Sequence, residues 1–202
     1  YDAGWEELRK QRQARAKQLG IVPADSAMVT MSSTNDWDAY SAEEQRYHAK
    51  RMAVYAGMVD AMDHHIGRLI DYLKSTGQYD NTIFIFTSDN GSEASGGDSP
   101  RHPLMQLALR VQGYNNDYDT LGLKGSFNTI GPSFASAAAS PLAYYKFYAG
   151  EGGMRVPLIV AGASIPAEPR LTNAFAYVTD ITPTILDMAG VRAPASHYGG
   201  RP

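Results

Sequence analysis

The chain has 202 residues, of which 44% are hydrophobic and 19% charged, a globular composition that argues against disorder and against collagen-like repeats. Its formal charge of −3 and its lack of Lys or Arg blocks argue against nucleic acid as a main partner. Cysteine is absent, which excludes disulfides, cysteine-ligated zinc and a thiol nucleophile, and no run of about 20 apolar residues is present to span a bilayer.

Two helices are predicted in the first 80 residues. Residues 1–20 carry acidic side chains first and basic side chains last, an order that suits the dipole of a helix. Residues 42–76 have apolar side chains at helical spacing, a capping-box start in Ser41 with Glu44, and a stop at Gly77. We expect the methionine-rich apolar stripe of this second helix to face the protein core, rather than to form an adaptable binding groove.

Apolar runs after the long helix predict buried strands. Residues 82–87 are apolar or β-branched throughout, which is typical of a strand covered on both faces in a parallel sheet. Residues 156–160 predict a second strand, 174–178 a short third strand, and 180–190 a helix. Residues 91–140 are expected to form a long irregular stretch of the functional or mobile kind. This order of elements predicts an α/β fold.

The sequence Ser88-Asp89-Asn90-Gly91 follows the first predicted strand. Open α/β sheets bind ligands beyond the carboxyl ends of their strands. Asp89 and Asn90 offer an adjacent carboxylate and amide oxygen, which are hard donors that suit Ca²⁺ or Mg²⁺. Because Asn-Gly is also a strong turn signal, an Asx-turn or a hairpin accounts for the same four residues. Two donors do not complete a metal site, so other ligands would have to come from elsewhere.

Lys146 lies between two aromatic pairs, Tyr144-Tyr145 and Phe147-Tyr148, shortly before the second predicted strand. A lysine ammonium at such a loop-to-strand junction is able to bind an anionic substrate oxygen as a point charge. A solvated lysine with aromatic neighbours accounts for the same pattern. The residues by themselves leave both interpretations open.

Several ordered motifs resemble the sulfatases, in the arylsulfatase branch of the alkaline-phosphatase-like superfamily. They are the opening Tyr-Asp-Ala-Gly-Trp at 1–5, the helix motif at 55–69, Ser-Asp-Asn-Gly at 88–91, Glu-Gly-Gly at 151–153 and the segment 178–184. The resemblance covers nearly the whole chain. It implies part of an alkaline-phosphatase-like α/β fold, with a mostly parallel sheet flanked by helices that is incomplete in this chain.

The resemblance also implies domain boundaries and site residues. Residues 1–190 would be the C-terminal part of the sulfatase catalytic α/β domain, and residues 191–202 the start of a truncated C-terminal region. Asp89 and Asn90 would be ligands of one Ca²⁺ ion, with Mg²⁺ less favoured, and Asn90 and Lys146 would contact the substrate sulfate. The implied reaction is hydrolysis of a small-molecule aryl or alkyl sulfate ester.

The chain departs from the family at the nucleophile, a formylglycine made from the Cys or Ser of a C/S-x-P-x-R motif. The nearest run, at 164–168, carries Glu168 in place of the arginine. We therefore expect a fragment that is inactive alone, with the formylglycine in a missing N-terminal part. A phosphomonoester or phosphonate hydrolase of the same superfamily and a non-catalytic metal-binding α/β module are the alternatives. The natural substrate, the oligomeric state and the compartment (periplasmic, secreted or cytoplasmic) are left open.

Overall fold

The structure is a computed structural model that describes residues 1–29, 31–96, 103–166, 168 and 170–191. The chain divides into two compact units, Tyr1–Pro169 and Arg170–Pro202. Among the described residues, no helix combines the length and the apolar character that crossing a membrane requires.

The first unit begins with the two helices that the sequence predicts. Helix α1 spans Gly4–Gln18 and helix α2 spans Ala42–Ser75. At the start of α2, the Glu44 backbone N–H donates to the Ser41 hydroxyl at 3.3 Å, and the Ser41 backbone N–H donates to the Glu44 carboxylate at 2.9 Å. This reciprocal pair is the predicted capping box, which satisfies two backbone donors that the first turn leaves unpaired.

The segment 91–140 contains two helices, so the prediction of an irregular stretch is wrong there. Helix α3 spans Pro103–Val111 and helix α4 spans Gly131–Ala139. Helix α4 is built mainly from alanine and serine, with a proline in its first turn, where the missing N–H is tolerated. Alanine has the highest helix propensity, and this preference outweighs the lower helix propensity of the serines and the glycine. A single helical turn, α5, follows at Glu151–Met154.

The core of the first unit lies where α1, α4 and the beginning of α2 meet. Trp5 and Phe134 are fully buried, and Trp37 is nearly so. The Trp5 ring packs edge-on against Trp37 and Phe134, with ring centroids 4.7 and 5.3 Å away, an arrangement that aromatic quadrupoles favour. The Trp5 indole N–H donates to the Asn35 carbonyl at 2.8 Å. Both tryptophans are therefore packing anchors of this core.

Two buried basic side chains border this core. Arg51 donates to the Thr129 carbonyl at 2.5 Å and to the Thr129 hydroxyl at 2.7 Å. One guanidinium nitrogen of Arg51 lies 3.2 Å from Nδ1 of the buried His48. Burial, assisted by the charge of Arg51, lowers the pKa of His48 to about 4. His48 is therefore neutral in the folded protein at ordinary pH.

The first unit contains one sheet in its described part, formed by β1 (Ile83–Thr87) and β2 (Leu158–Gly162). Both predicted strands are present, but the predicted burial is wrong, since most side chains of β1 are half-buried and most of β2 are exposed. The two strands pair antiparallel, with Ile85 opposite Val160. The mostly parallel sheet expected from the sequence is therefore not found between these strands, because an apolar run indicates burial on both faces but does not fix the direction of the partner strand.

The second half of α2 and strand β2 present apolar side chains to solvent. Met58 on α2 is 52% exposed, and Ile159 on β2 is 55% exposed. The stripe of α2 that was expected to face a core continues in this way along the helix, through Val59, Met62 and Leu69. The expectation is confirmed at Met52, which is buried in the core, and is wrong at these exposed positions. The apolar surface that they expose is of the kind that marks a binding or docking face.

The second unit contains helix α6, Ile181–Met188, which a short 3₁₀ turn at Val178–Asp180 precedes. The helix predicted in this region is confirmed. The strand predicted at 174–178 is wrong, since residues 171–177 have no regular structure. Residues 192–202 lie outside the described residues, so the boundary at residue 190 stays a prediction.

Candidate active site

The loop after β1 places Asp89 and Asn90 at the carboxyl end of the strand. The Ser88 hydroxyl donates to the Asn90 carbonyl at 2.8 Å, and the Asn90 side-chain amide donates to the Gly91 carbonyl at 2.9 Å. These bonds hold a tight turn. Asp89 is exposed, and the hydrogen bond of Asn90 uses its amide nitrogen. The turn that the sequence allowed is therefore present, and it does not use the side-chain oxygen of Asn90 in this hydrogen bond.

Glycines allow this loop to lie directly on helix α5. The Gly91 N–H donates to the Gly153 carbonyl at 2.9 Å. A Cβ atom on Gly91 would lie 1.8 Å from the Gly152 carbonyl oxygen, and a Cβ atom on Gly152 would lie 2.1 Å from the Tyr144 carbonyl oxygen. Real Cβ atoms do not approach so closely, so only glycine permits this contact between backbones. The Glu-Gly-Gly motif is thus a packing surface for the strand-tip loop.

Lys146 is held next to the same loop. Its backbone N–H donates to the Ser92 carbonyl at 3.0 Å, and its ammonium donates to the Glu93 carboxylate at 2.5 Å. The hydrogen bond to Glu93 raises the pKa of Lys146, and the negative charges of Glu93 and Asp89 act in the same direction. The structure therefore places the segment of Lys146 against the loop that carries Asp89 and Asn90, through the contacts of Lys146 with Ser92 and Glu93. That these three residues form one site stays a prediction.

Glu93 is a charged member of this group that the sequence patterns did not single out. Burial acts to raise the pKa of Glu93, but hydrogen bonds from Lys146 and Ser95 outweigh it and lower the pKa to about 2. Glu93 is therefore an anion throughout the neutral range. A signal was present in the sequence: an acidic residue three positions after Asn90 stands in the same short loop as the two candidate metal ligands.

The backbone around Lys146 is strained. Tyr144 has φ 68° and Phe147 has φ 81°, in the left-handed region that residues with a side chain rarely adopt. Such conformations cost on the order of 1–3 kcal/mol each and concentrate at functional sites. Neighbouring rings brace the segment, because Tyr144 stacks on Tyr148 with centroids 5.0 Å apart and Tyr145 is buried in the core. The position of Lys146 is thus imposed by its surroundings.

The donors at the strand tip fit part of a site for a hard cation. A carboxylate and an amide oxygen are ligands that Ca²⁺ takes, and Ca²⁺ requires six to eight oxygen ligands. In the part of the chain that the structure describes, no group of three or more His, Asp or Glu side chains gathers around a point. Asp89 and Asn90 therefore match the chemistry of a calcium site but supply only two of its ligands.

Comparison with known proteins assigns the chain to a family. The family model described as Sulfatase matches residues 9–191. An uncharacterized sulfatase of Schizosaccharomyces pombe is 38% identical over 203 residues, which cover 100% of this chain and 36% of that protein. An arylsulfatase of Klebsiella aerogenes is 34% identical over 195 residues, which cover 95% of this chain and 40% of that protein. The chain belongs to the sulfatase family.

Family membership confirms the resemblance seen in the sequence motifs. It supports an alkaline-phosphatase-like α/β fold and a hydrolase of the sulfatase type in general. A choline-sulfatase of Rhizobium meliloti is a more distant relative, 26% identical over 179 residues. The chain spans 36% and 40% of the length of its two more similar relatives, so the activity of the whole protein is a matter for proposal.

Proposed function

We propose that the protein is a sulfuric ester hydrolase of the arylsulfatase type, which acts on small-molecule aryl or alkyl sulfate esters. In this proposal the loop 88–93 and Lys146 form part of its active site. The observation that carries the proposal is the hydrogen bond from the Lys146 backbone N–H to the Ser92 carbonyl, which joins the segment of Lys146 to the Asp89-Asn90 loop in a chain of the sulfatase family. This contact supports a site in which two hard oxygen donors and a cation act together.

Each of these residues has a role that its chemistry suggests. Asp89 and Asn90 would hold a Ca²⁺ ion, which suits a flexible oxygen site better than Mg²⁺ with its strict octahedral geometry. When bound, the ion supplies positive charge beside the sulfate oxygens. The Lys146 ammonium, kept protonated by its acidic neighbours, binds a sulfate oxygen as a point charge, and Asn90 lies beside the same group. Fixed positive charge of this kind stabilises the negative charge of the transferring group.

The nucleophile is not assigned to these 202 residues. The resemblance implies a formylglycine, and no C/S-x-P-x-R motif occurs in the sequence from which one could be made. In this proposal the chain contributes two metal ligands and the contacts to sulfate. The chain by itself is then inactive.

A test compares Lys146→Met with Lys124→Met in the full-length protein. Lys124 is an exposed lysine in a turn and serves as the matched control. We expect Lys146→Met to lower kcat/KM for an aryl sulfate by about 10²-fold, the usual effect of removing one group that stabilises a transition-state oxyanion. The Lys124→Met variant should stay within about twofold of the wild type.

Three outcomes would contradict this proposal. Full activity in Lys146→Met would show that Lys146 does not contribute to the reaction. Faster hydrolysis of the matching aryl phosphate than of the aryl sulfate by the wild-type protein would favour the phosphomonoester hydrolase instead. Binding of calcium without hydrolysis of either ester would favour a non-catalytic metal-binding module.

A further inference from the structure

Two neighbouring residues of the strand-tip loop, residues 88–93, bind Lys146, one at its backbone and the other at its ammonium group. The Ser92 carbonyl accepts a hydrogen bond from the Lys146 backbone N–H at 3.0 Å. The Glu93 carboxylate accepts one from the Lys146 ammonium at 2.5 Å. A lysine side chain has four rotatable bonds and loses much conformational entropy when it is fixed. Because the loop binds both the backbone and the ammonium of Lys146, the ammonium is restricted to one small region.

Glu93 is itself fixed by its own loop. One oxygen of its carboxylate accepts a hydrogen bond from the Ser95 backbone N–H at 2.8 Å, and the other oxygen contacts Lys146. Each carboxylate oxygen therefore has a separate partner, which sets the plane of the carboxylate and the point at which it meets the ammonium. The two side chains therefore have less conformational freedom than most ion pairs on protein surfaces.

The stability of the fold does not account for this pair. The Glu93 side chain is 39% exposed and the Lys146 side chain 35% exposed. Ion pairs at such exposure contribute little to stability, because water screens their charges. The pair lies, however, at a place where the backbone is strained on both sides of the lysine and where the Asp89 charge acts on the ammonium. A role in the site explains the pair where a role in folding does not.

We propose that Glu93 is a positioning residue, which holds the Lys146 ammonium where a sulfate oxygen binds. This inference rests on the proposed function. An ammonium has three N–H donors, and Glu93 occupies one of them, which leaves two for the anion. The carboxylate weakens the attraction of Lys146 for a free anion, since its own charge is negative. Its contribution therefore lies in holding the ammonium ready for the transition state, and not in tighter binding of the substrate.

The opposing effects of Glu93 predict a distinctive kinetic result. In the full-length protein, Glu93→Gln should lower kcat for an aryl sulfate by about 10-fold or more, because a small misplacement of a catalytic group has large effects on rate. The KM should stay unchanged or fall, because the variant removes a negative charge beside an anion site. Glu168→Gln, which removes the charge of an exposed glutamate, is the matched control and should change neither constant by more than about twofold.

Three results would overturn the inference. The first is a kcat of Glu93→Gln within about twofold of the wild type. The second is a rise in KM with no change in kcat, since that indicates uniform binding and not positioning. The third is a fall in kcat accompanied by a lower melting temperature and by an equal loss of folded protein, since that indicates a structural role.

A spectroscopic measurement separates this inference from the proposed function. The ¹H–¹⁵N signal of the Lys146 ammonium, assigned by its loss in Lys146→Met, should be visible in the wild type and broaden in Glu93→Gln through faster exchange with water. An unchanged signal overturns the inference. A wild-type protein that hydrolyses no sulfate ester overturns the proposed function, and the ammonium signal then decides by itself whether Glu93 holds the lysine.

Discussion

The region around Trp5 and the region around the two strands differ in how their apolar side chains are covered. Trp5 and Phe134 are fully buried within a cluster of aromatic rings, whereas Ile159 on β2 and Leu69 on α2 remain more than half exposed. The candidate site belongs to the second region, at the tip of β1. Its loop is ordered by contacts between backbones and by a few hydrogen bonds, whereas the region around Trp5 is stabilised by packing. Tyr145, the neighbour of Lys146, is the point at which the packed core supports the site.

The largest expected effect is on the packed region. Trp5→Ala should lower the free energy of unfolding by about 3–5 kcal/mol, because it removes a buried aromatic ring and leaves a cavity. Leu69→Ala, at a side chain 51% exposed, should change that free energy by about 0.5 kcal/mol or less in the 202-residue chain. Denaturant unfolding of both variants measures the difference, and equal losses would break the contrast between the two regions.

The next effect is on the site. Gly91→Ala places a methyl group where the Gly152 carbonyl oxygen lies, so the two backbones must separate. We expect kcat/KM of the full-length protein to fall by about 10²-fold, since displacement of a catalytic group by about 1 Å has that effect. The matched control is Gly57→Ala, at a helical glycine with no atom within 4 Å of the added methyl group. That variant should retain its activity and gain up to about 1 kcal/mol of stability. Full activity in Gly91→Ala would show that the close contact does not set the site.

The smallest expected effect is on the pH dependence of the free energy of unfolding, which differs between the two regions. His48 is neutral in the folded protein down to about pH 4, whereas in the unfolded chain it takes up a proton near its ordinary pKa of 6.5. The unfolded state therefore binds more protons between these values, and the free energy of unfolding should fall by on the order of 2 kcal/mol as the pH falls through this window. The Glu93 side chain is 39% exposed, so its lowered pKa gives only a small stabilising contribution, which is present above its ordinary pKa of 4.5 and is lost as the pH falls towards about 2.

Unfolding measured as a function of pH tests both windows. His48→Gln should reduce the pH dependence of the free energy of unfolding between pH 6.5 and about 4, and Glu93→Gln should reduce it between pH 4.5 and about 2. An unchanged slope between pH 6.5 and about 4 in His48→Gln would mean that another group carries the proton uptake.

The parts of the fold that could be predicted are those that depend on residues close together in the sequence. The beginning of α2 follows from Ser41 and Glu44, which meet within one turn, and β1 follows from five consecutive β-branched and aromatic residues. The direction of β2 depends on a partner 75 residues away along the chain at the pair Ile85 and Val160, and nothing in either run encodes it.

The candidate site divides in the same way. Asp89, Asn90 and Lys146 were found because the residue types and their motifs carry the signal, although their roles remain predictions. Glu93 was missed because its partner is 53 positions away in the sequence. The contact between them exists only once the glycines have brought the two loops together, and local patterns do not describe such contacts.

The touching main chains of Gly91 and Gly152 have a consequence for redesign. Because no side chain intervenes, the spacing between the Asp89-Asn90 loop and helix α5 is fixed by the path of the polypeptide itself. Phe147 is 70% exposed and its ring centroid lies 5.4 Å from the Lys146 ammonium, so exchanging this ring would alter the surroundings of the ammonium and leave that backbone spacing intact. The aromatic surface of the proposed site can therefore be redesigned on an unchanged backbone framework.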